Sequence, residues 1–321
     1  MHGLDTGVGH TEAGRRIGPY TVLGTLDGDD ASGPSGTSGM PLPERRFLAR
    51  SADGARTVLI SVPLPGADPG RFLAEAEVSR YLLGPWSSPA TELAPPGAQP
   101  WHARPYLPAL PLPAALAHHG GPLPVRTVRA LGAALVETLV IGHGQGLAHA
   151  GISPAAVLLA ADGPRLTCFG AVRAAAADGT PRSGLPGLES GSLPPEQAAG
   201  RTPDPLGDLY ALGATLAYAA TGHTVPERDE IPGPLRAVIS GCLARDPALR
   251  PRPAELLDAL APAGAPAPPP TATPAPGPAE GRAHALLTPG WLPGRLIAAL
   301  ARQSAALLAA TLPAASATAQ D

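Results

Sequence analysis

The hydrophobic pattern of this chain changes character once, and that change limits the folds open to it. Near the start the apolar residues come in short alternating runs. PYTVLGTL at 19–26, RRFLAR at 45–50 and RTVLISV at 56–62 each read as a strand, with a long Gly/Ser/Asp-rich loop after the first and the turn SADG after the second. These three predict an antiparallel meander. A helical stretch at 68–83 and a strand around WHARPYL at 101–107 complete this part. Beyond it the repeat is helical. Val125, Val128, Leu131, Leu135 and Leu139 share one face of a long helix over 124–146, and helical patterns follow at 205–221, 233–244 and 253–260. Only VLLA and RLTCF, on either side of the ADGP turn, interrupt it as a short hairpin. Strands first and helices afterwards predict an α+β, two-lobed body, with a small β-rich N-lobe and a larger helical C-lobe.

A chain of 321 residues, 44% of them hydrophobic, can bury such a body. Its 43 prolines and 39 glycines are about a quarter of the residues, so part of the chain is expected outside any core. The expected division is a flexible tail at 1–16, a folded domain at 17–261 (N-lobe about 17–107, C-lobe about 108–261), a Pro/Ala-rich linker at 262–290, an amphipathic helix at 291–313 and a tail at 314–321. In that helix Leu296, Leu300, Leu307 and Leu308 recur at helical spacing around Arg302 and Gln303. A central arginine costs about 2.5–3.5 kcal/mol in a bilayer, so docking on a partner or on the body is expected instead of spanning. A net charge of -3 with 15% charged residues gives no field for nucleic acid or an anionic membrane. Cys168 and Cys242 make no disulfide framework and MHGLDTGVGHTEAGRR has no apolar leader, so a cytoplasmic location is expected.

Within the body five stretches resemble, in order, motifs of the bacterial Hanks-type serine/threonine protein kinases, over about residues 17–261. GLAHAGISPAAVLL resembles the family's G-L-x-H-R-D-x-K-P-x-N-x-L-L loop, RLTCFGAV its D-F-G segment and LPPEQAAG its A-P-E segment. DLYALGATLAYAATG resembles the helix that opens on a buried aspartate, and CLARDPALRPRPAELL the closing motif around a buried arginine. The resemblance implies a protein-kinase-like fold. It also implies a set of chemical groups, and there the chain departs from it.

Phosphoryl transfer in this family is positioning and electrostatics: a Gly-rich loop and a third-strand lysine on the phosphates, an aspartate for the substrate proton, an asparagine and an aspartate for Mg²⁺. VLIS stands at the lysine motif, so Ser61 replaces the lysine, while its usual carboxylate partner is retained as Glu75. His149 is retained in the loop, but Gly151 stands at the proton acceptor, Ser153 at the loop lysine, Ala156 at the metal-binding asparagine and Cys168 at the second metal ligand. The chain contains no lysine and no asparagine, and arginine is a poor stand-in for a compact charge. Between Glu137 and Asp178 the only carboxylate is Asp162, in the ADGP turn. The stretch LDGDDASGPSGTSGM, in place of the Gly-rich loop, sets Asp27, Asp29 and Asp30 near the triphosphate position, where like charge repels ATP. The cleft is therefore expected to hold no fixed cation and no pair of oxygen anions for a metal-bound triphosphate.

The residues that survive have another character. The resemblance makes Asp208 a scaffold for the loop, Glu196 and Arg250 a buried ion pair, and His149 and Phe169 members of the larger lobe's core. Elsewhere simple readings suffice. Cys168 is expected as a small buried residue, His118 and His119 at a helix C-terminus, and His143 on a helix surface. Thr180, Ser183, Ser190 and Ser192 are expected as solvated loop residues, with phosphorylation as the alternative. Together these predict a catalytically inactive pseudokinase with no metal or cofactor site, acting as a protein-binding scaffold or regulator in serine/threonine kinase signalling, with an active kinase among its candidate partners. The alternative is an active or atypical serine/threonine protein kinase that binds ATP and Mg²⁺ in a non-standard pose.

Overall fold

Alternation along three strands builds the first lobe. In the computed structural model, which describes residues 12–27, 44–170, 192–261 and 281–310, these strands are β2 (Tyr20–Thr25), β3 (Glu44–Ser51) and β4 (Thr57–Pro63), after a short β1 (Arg16–Ile17). Helix α1 (Pro69–Ser79) follows, then β5 (Glu92–Leu93) and β6 (His102–Pro105). The result is one antiparallel six-stranded sheet in the order β1-β2-β3-β4-β6-β5. Asp68 starts α1 by accepting from the Gly70 and Arg71 amides, with Pro69 in the first turn.

Side chains along a strand point to opposite faces in turn, so the register decides what each face carries. On one face Phe47 lies opposite Ile60 and Ile60 opposite Ala103; with Tyr20, Val22, Val58 and Trp101 they form an apolar core. On the other face Arg46 lies opposite Ser61 and Ser61 opposite His102, while Leu48 lies opposite Leu59 and Leu59 opposite Arg104. A bulge between Val22 and Gly24 shifts the register of β2, and Leu23 and Leu26 join Leu48 and Leu59 on that second face. This polar and leucine-lined face looks onto the second lobe.

Residues 106–108 lead from β6 to β7 (Ala109–Pro111), the first strand of the second lobe. There follow α2 (Leu112–His119), α3 (Val125–Gly144), β8 (Val157–Ala160) and β9 (Gly163–Leu166), with β7, β8 and β9 in one small sheet. Then come α4 (Pro195–Ala198), α5 (Pro205–Thr221), α6 (Gly233–Cys242) and α7 (Pro253–Leu260). Helix α3 is the axis of this lobe: Leu131, Leu135 and Leu139 are fully buried against Leu212, Leu216, Leu256 and Leu260. Sheet in one lobe and helices in the other make the body the α+β arrangement that the order of patterns predicts.

The C-terminal part departs from its expected boundaries. A short helix α8 (Arg282–Leu286) lies inside the span expected as linker, and the last helix, α9, runs from Gly294 to Ala309 within the 291–313 predicted. Contacts distant in sequence order this stretch. The Ala283 amide donates to Glu137 Oε1 at 2.8 Å, Thr127 Oγ1 donates to the Trp291 carbonyl at 2.6 Å, and Trp291 Nε1 donates to the Ala161 carbonyl at 2.8 Å. Ala283, Trp291, Leu292, Leu296, Ala299 and Leu300 are thereby buried in the second-lobe core, so α9 docks on the body. Among the described residues no helix is long and apolar enough to cross a membrane. Residues 1–11, 262–280 and 311–321 lie outside the described residues.

One ion pair ties the helices of the second lobe together. Arg250 donates from Nη1 to Glu196 Oε1 at 2.6 Å and from Nη2 to Oε2 at 2.8 Å, and also reaches the carbonyls of Leu206 and Ala244. Both side chains are buried. Burial pushes the Glu196 carboxyl up, but its hydrogen bonds from Arg250 outweigh this and hold it below its ordinary value. A carboxyl depressed in the folded state contributes stability that is whole above its unfolded value and lost as pH falls. Arg250→Ala should therefore cost about 3–5 kcal/mol at neutral pH. Urea unfolding should also show a shallower loss of stability between about pH 5 and 3 in the variant than in the wild type.

Candidate functional site

The cleft between the lobes is filled by charged side chains from the inner face of the sheet. Arg46 is at its centre. Its guanidinium makes a two-pronged ion pair with Asp27, one contact Nε to Oδ2 at 2.9 Å, and Nη1 donates to the Ala155 carbonyl of the second lobe at 2.8 Å. Burial disfavours its charge, but Asp27 outweighs this and holds the guanidinium above its ordinary value. Glu44, two residues earlier and on the same face of β3, lies beside it. Ser61 Oγ donates to Glu44 Oε1 at 3.0 Å, His102 Nε2 lies 3.2 Å from Oε2, and Arg104 Nη2 lies 3.8 Å from Oε1. Burial pushes the Glu44 carboxyl up, yet His102, Arg104 and Arg46 outweigh it and hold the group well below the usual carboxylate range. Burial lowers the Arg104 guanidinium from its ordinary value even with Glu44 beside it. Phe72 of α1 stacks on His102 with ring centroids 5.0 Å apart.

Beneath this network lies the loop 147–156. Its backbone hangs on Asp208, at the start of α5: Oδ2 accepts from the His149 amide at 2.8 Å and Oδ1 from the Ala150 amide at 2.7 Å. His143 Nε2 lies 2.9 Å from Oδ2, so His143 faces α5 and is largely buried, not on the open helix surface expected for it. The last turn of α3 is turned toward Asp208, which a helix read alone does not show. Ala150 and Cys168 have left-handed backbones, at φ 55° and 57°. Each such position costs on the order of 1–3 kcal/mol, so the surrounding contacts must hold it. The Gly170 amide donates to the His149 carbonyl at 3.1 Å, and the His149 and Phe169 rings lie 4.3 Å apart.

That hydrogen bond presses the two segments together at Gly151. A Cβ there would lie 2.4 Å from the Cys168 carbonyl oxygen and 2.7 Å from the Gly170 nitrogen. The position therefore accepts only hydrogen, and no carboxylate side chain fits it without moving backbone.

Of the positions expected in the cleft, Ser61, Glu75 and Cys168 come together around Glu44, while Ser153 and Ala156 are buried at the foot of β8. The Cys168 thiol donates to Glu44 Oε1 at 3.5 Å, and burial, with Glu44 beside it, pushes it up to about 11. Cys168 is thus a buried protonated thiol. Two expectations are overturned. The cleft does hold fixed cations, Arg46 and Arg104, and a carboxylate, Glu44, that motif spacing does not reveal. Asp27 is neutralised by Arg46 and does not stand as a free repelling charge. Both corrections have one source: strand alternation sends Glu44, Arg46, His102 and Arg104 inward, where charged residues in a strand ordinarily read as a solvent face. Ser192 is buried, not solvated; Asp29, Asp30, Thr180, Ser183 and Ser190 lie outside the described residues.

Among the described residues little room is left beside Glu44. A cavity of about 10 Å³, lined by Glu44, Glu75, His102, Arg104, Cys168 and Phe169 among others, has space for about one water. Small-molecule sites run to roughly 300–1,000 Å³. This cavity beside Glu44 and α1 is therefore far too small for a nucleotide. Among the described residues no group of three or more His, Cys, Asp or Glu side chains is placed to hold a metal ion.

Comparison with known proteins places these features in a context. No protein-family model matches the chain. It is 33% identical over 270 residues to the serine/threonine-protein kinase AfsK of Streptomyces coelicolor, covering 77% of this chain and 32% of that protein. To the probable serine/threonine-protein kinase PkwA of Thermomonospora curvata it is 34% identical over 268 residues, covering 77% of this chain and 34% of PkwA. The chain thus spans about a third of the length of these relatives. Its structure matches the kinase domain of Mycobacterium tuberculosis PknI with a TM-score of 0.56 and 25% identity, over 77% of this chain and 96% of that one.

The contact at Gly151 makes a direct prediction. Gly151→Asp, which puts a carboxylate where the related motif has one, should destabilise the fold by about 1–3 kcal/mol by overpacking alone. Urea unfolding should show that loss, and the variant should gain no phosphate transfer from ATP.

Proposed function

Because the chain contains a protein-kinase-like domain related to bacterial serine/threonine kinases, we propose that this one is a non-catalytic member, a pseudokinase that acts as a protein-binding scaffold or regulator in serine/threonine kinase signalling. The observation that carries the reading is the cleft: Arg46, held by Asp27 and by the Ala155 carbonyl, and Glu44, held by His102, Ser61 and Arg104, occupy it with one another. Phosphoryl transfer is positioning and electrostatics, and it needs cations and carboxylates free to engage phosphate and metal. Here those present are committed to each other. The domain needs no ATP or Mg²⁺ on this reading, and its ligand is a protein, an active kinase being the first candidate.

A second reading, an atypical kinase, has one observation in its favour: Arg46, Arg104 and Glu44 bring both signs of charge into the cleft from new positions. It requires the Arg46–Asp27 pair to part when nucleotide arrives.

One experiment separates the two. Saturating a site at a hundred times its dissociation constant stabilises a protein by about 2.7 kcal/mol. On the first reading neither ATP nor ATP with Mg²⁺ moves the melting temperature of the full chain, no labelled phosphate is incorporated, and adding the chain changes the turnover of an active serine/threonine kinase from the same cell. A clear shift with Mg²⁺-ATP, with transfer abolished by Glu44→Gln, would establish the second reading in its place.

A further inference from the structure

Helix α9 reaches further than docking on the second lobe requires. Its first turns are anchored there: Leu296, Ala299 and Leu300 are buried in the core, and Arg295 Nη1 donates to the His119 carbonyl at the end of α2 at 3.2 Å. Its last turns cross the connection between the lobes. Gln303 Oε1 accepts from the Tyr106 hydroxyl at 3.0 Å, and Tyr106 is in that connection. Burial pushes the Tyr106 phenol up to about 12, so it remains a donor. Leu307 packs with Leu23, Leu26, Leu48 and Leu59 of the first lobe and with Leu158 of the second. Its neighbour Leu308 is 83% exposed, so the groove takes one particular side chain of the helix.

The end of the helix is held from the first lobe. Arg50 on β3 donates from Nη2 to the Leu307 carbonyl at 2.5 Å and from Nη1 to the Ala310 carbonyl at 2.9 Å. The last carbonyls of a helix have no partner within it, and that end carries partial negative charge. A guanidinium there answers both needs.

We propose that the groove across the lobe connection is a binding site for the C-terminal end of an amphipathic helix, that α9 of the same chain is its occupant, and that this helix limits how far the lobes open. The ligand chemistry is specific: a glutamine and a leucine four residues apart on one face, followed by uncapped helix carbonyls. Tyr106, the leucine pocket and Arg50 read these in turn. The occupant is the chain's own helix because α8 and the first turns of α9 are fastened to the same second lobe, through Glu137, Thr127 and the core around Trp291. The inference goes beyond the functional reading above, since it holds whether or not the cleft admits nucleotide.

Hydrogen exchange on the full chain tests it. Leu307→Asp and Arg50→Ala, made separately, should each speed exchange at the last turn of α9 and along β8 by at least about tenfold, as the loss of a buried leucine or of a helix-end partner allows. The first turns of α9 should keep their protection, which shows that the second lobe remains folded. Leu307→Met, which refills the pocket, should keep protection along β8 near that of the wild type. Unchanged exchange in both Leu307→Asp and Arg50→Ala would sink the proposal, as would a loss of protection in Leu307→Met equal to that in Leu307→Asp. Protection that falls on dilution together with a dimer would place the helix in a second copy and overturn the assignment within one chain. Mg²⁺-ATP is run in parallel as a separate readout. A melting shift confined to Leu307→Asp would leave this inference standing and count against the absence of nucleotide binding proposed above.

Discussion

The structure depends on a guanidinium placed where it has no access to water. Arg46 is buried on the inner face of the sheet, and a charge so placed is tolerable only if it is paired and its donors are satisfied. Asp27 supplies the charge and the Ala155 carbonyl a further acceptor. Because Ala155 belongs to the other lobe, satisfying this one side chain also ties the lobes together. Glu44 poses the same problem with the opposite sign, and Ser61, His102 and Arg104 answer it. Breaking either set singly leaves an uncompensated buried charge, so both pairings are maintained by the cost of parting them.

The loop below persists for a different reason. Asp208 accepts two of its backbone amides and lies beside His143, while the Gly170 amide returns to the His149 carbonyl. None of these contacts uses the side chain at position 151 or 156. The shape of the loop therefore rests on hydrogen bonds to main chain and does not depend on the side chains at 151 and 156. Gly151 goes further, because the loop has closed onto residues 168–170 until only a hydrogen fits.

Much of this was legible in the sequence, and the remainder was hidden for physical reasons. The change from alternating to helical period sets the α+β class, and the five motifs mark which loop and which aspartate stand below the cleft and which arginine ties the helices of the second lobe. Glu44 and Arg46 are hidden because ERRFLAR sets them, with Leu48, on the face opposite Phe47 and Ala49, where charged residues in a strand ordinarily mark solvent. That face is covered by the other lobe, which periodicity within a strand cannot reveal. His143 reads as a surface residue until α5 is placed against its turn. The end of α9 is the extreme case: Arg50 and the Leu307 carbonyl it holds are 257 residues apart, and neither leaves a local signal.

These ties have a consequence for motion. Two lobes joined by a short connection at 106–108 would ordinarily hinge there, since such connections are where rigid bodies rotate. Among the described residues the lobes are also joined deep in the cleft, from Arg46 to Ala155 and from Cys168 to Glu44, at Trp86 and Ser88, whose backbones exchange hydrogen bonds with Leu166, and across the connection, from β3 and Tyr106 to the end of α9. These ties lie at different depths and involve different chemistry, from a buried ion pair with a carbonyl to an apolar seat with a held helix end. Opening the cleft therefore requires these contacts to part together, because they join the same two lobes at separate points.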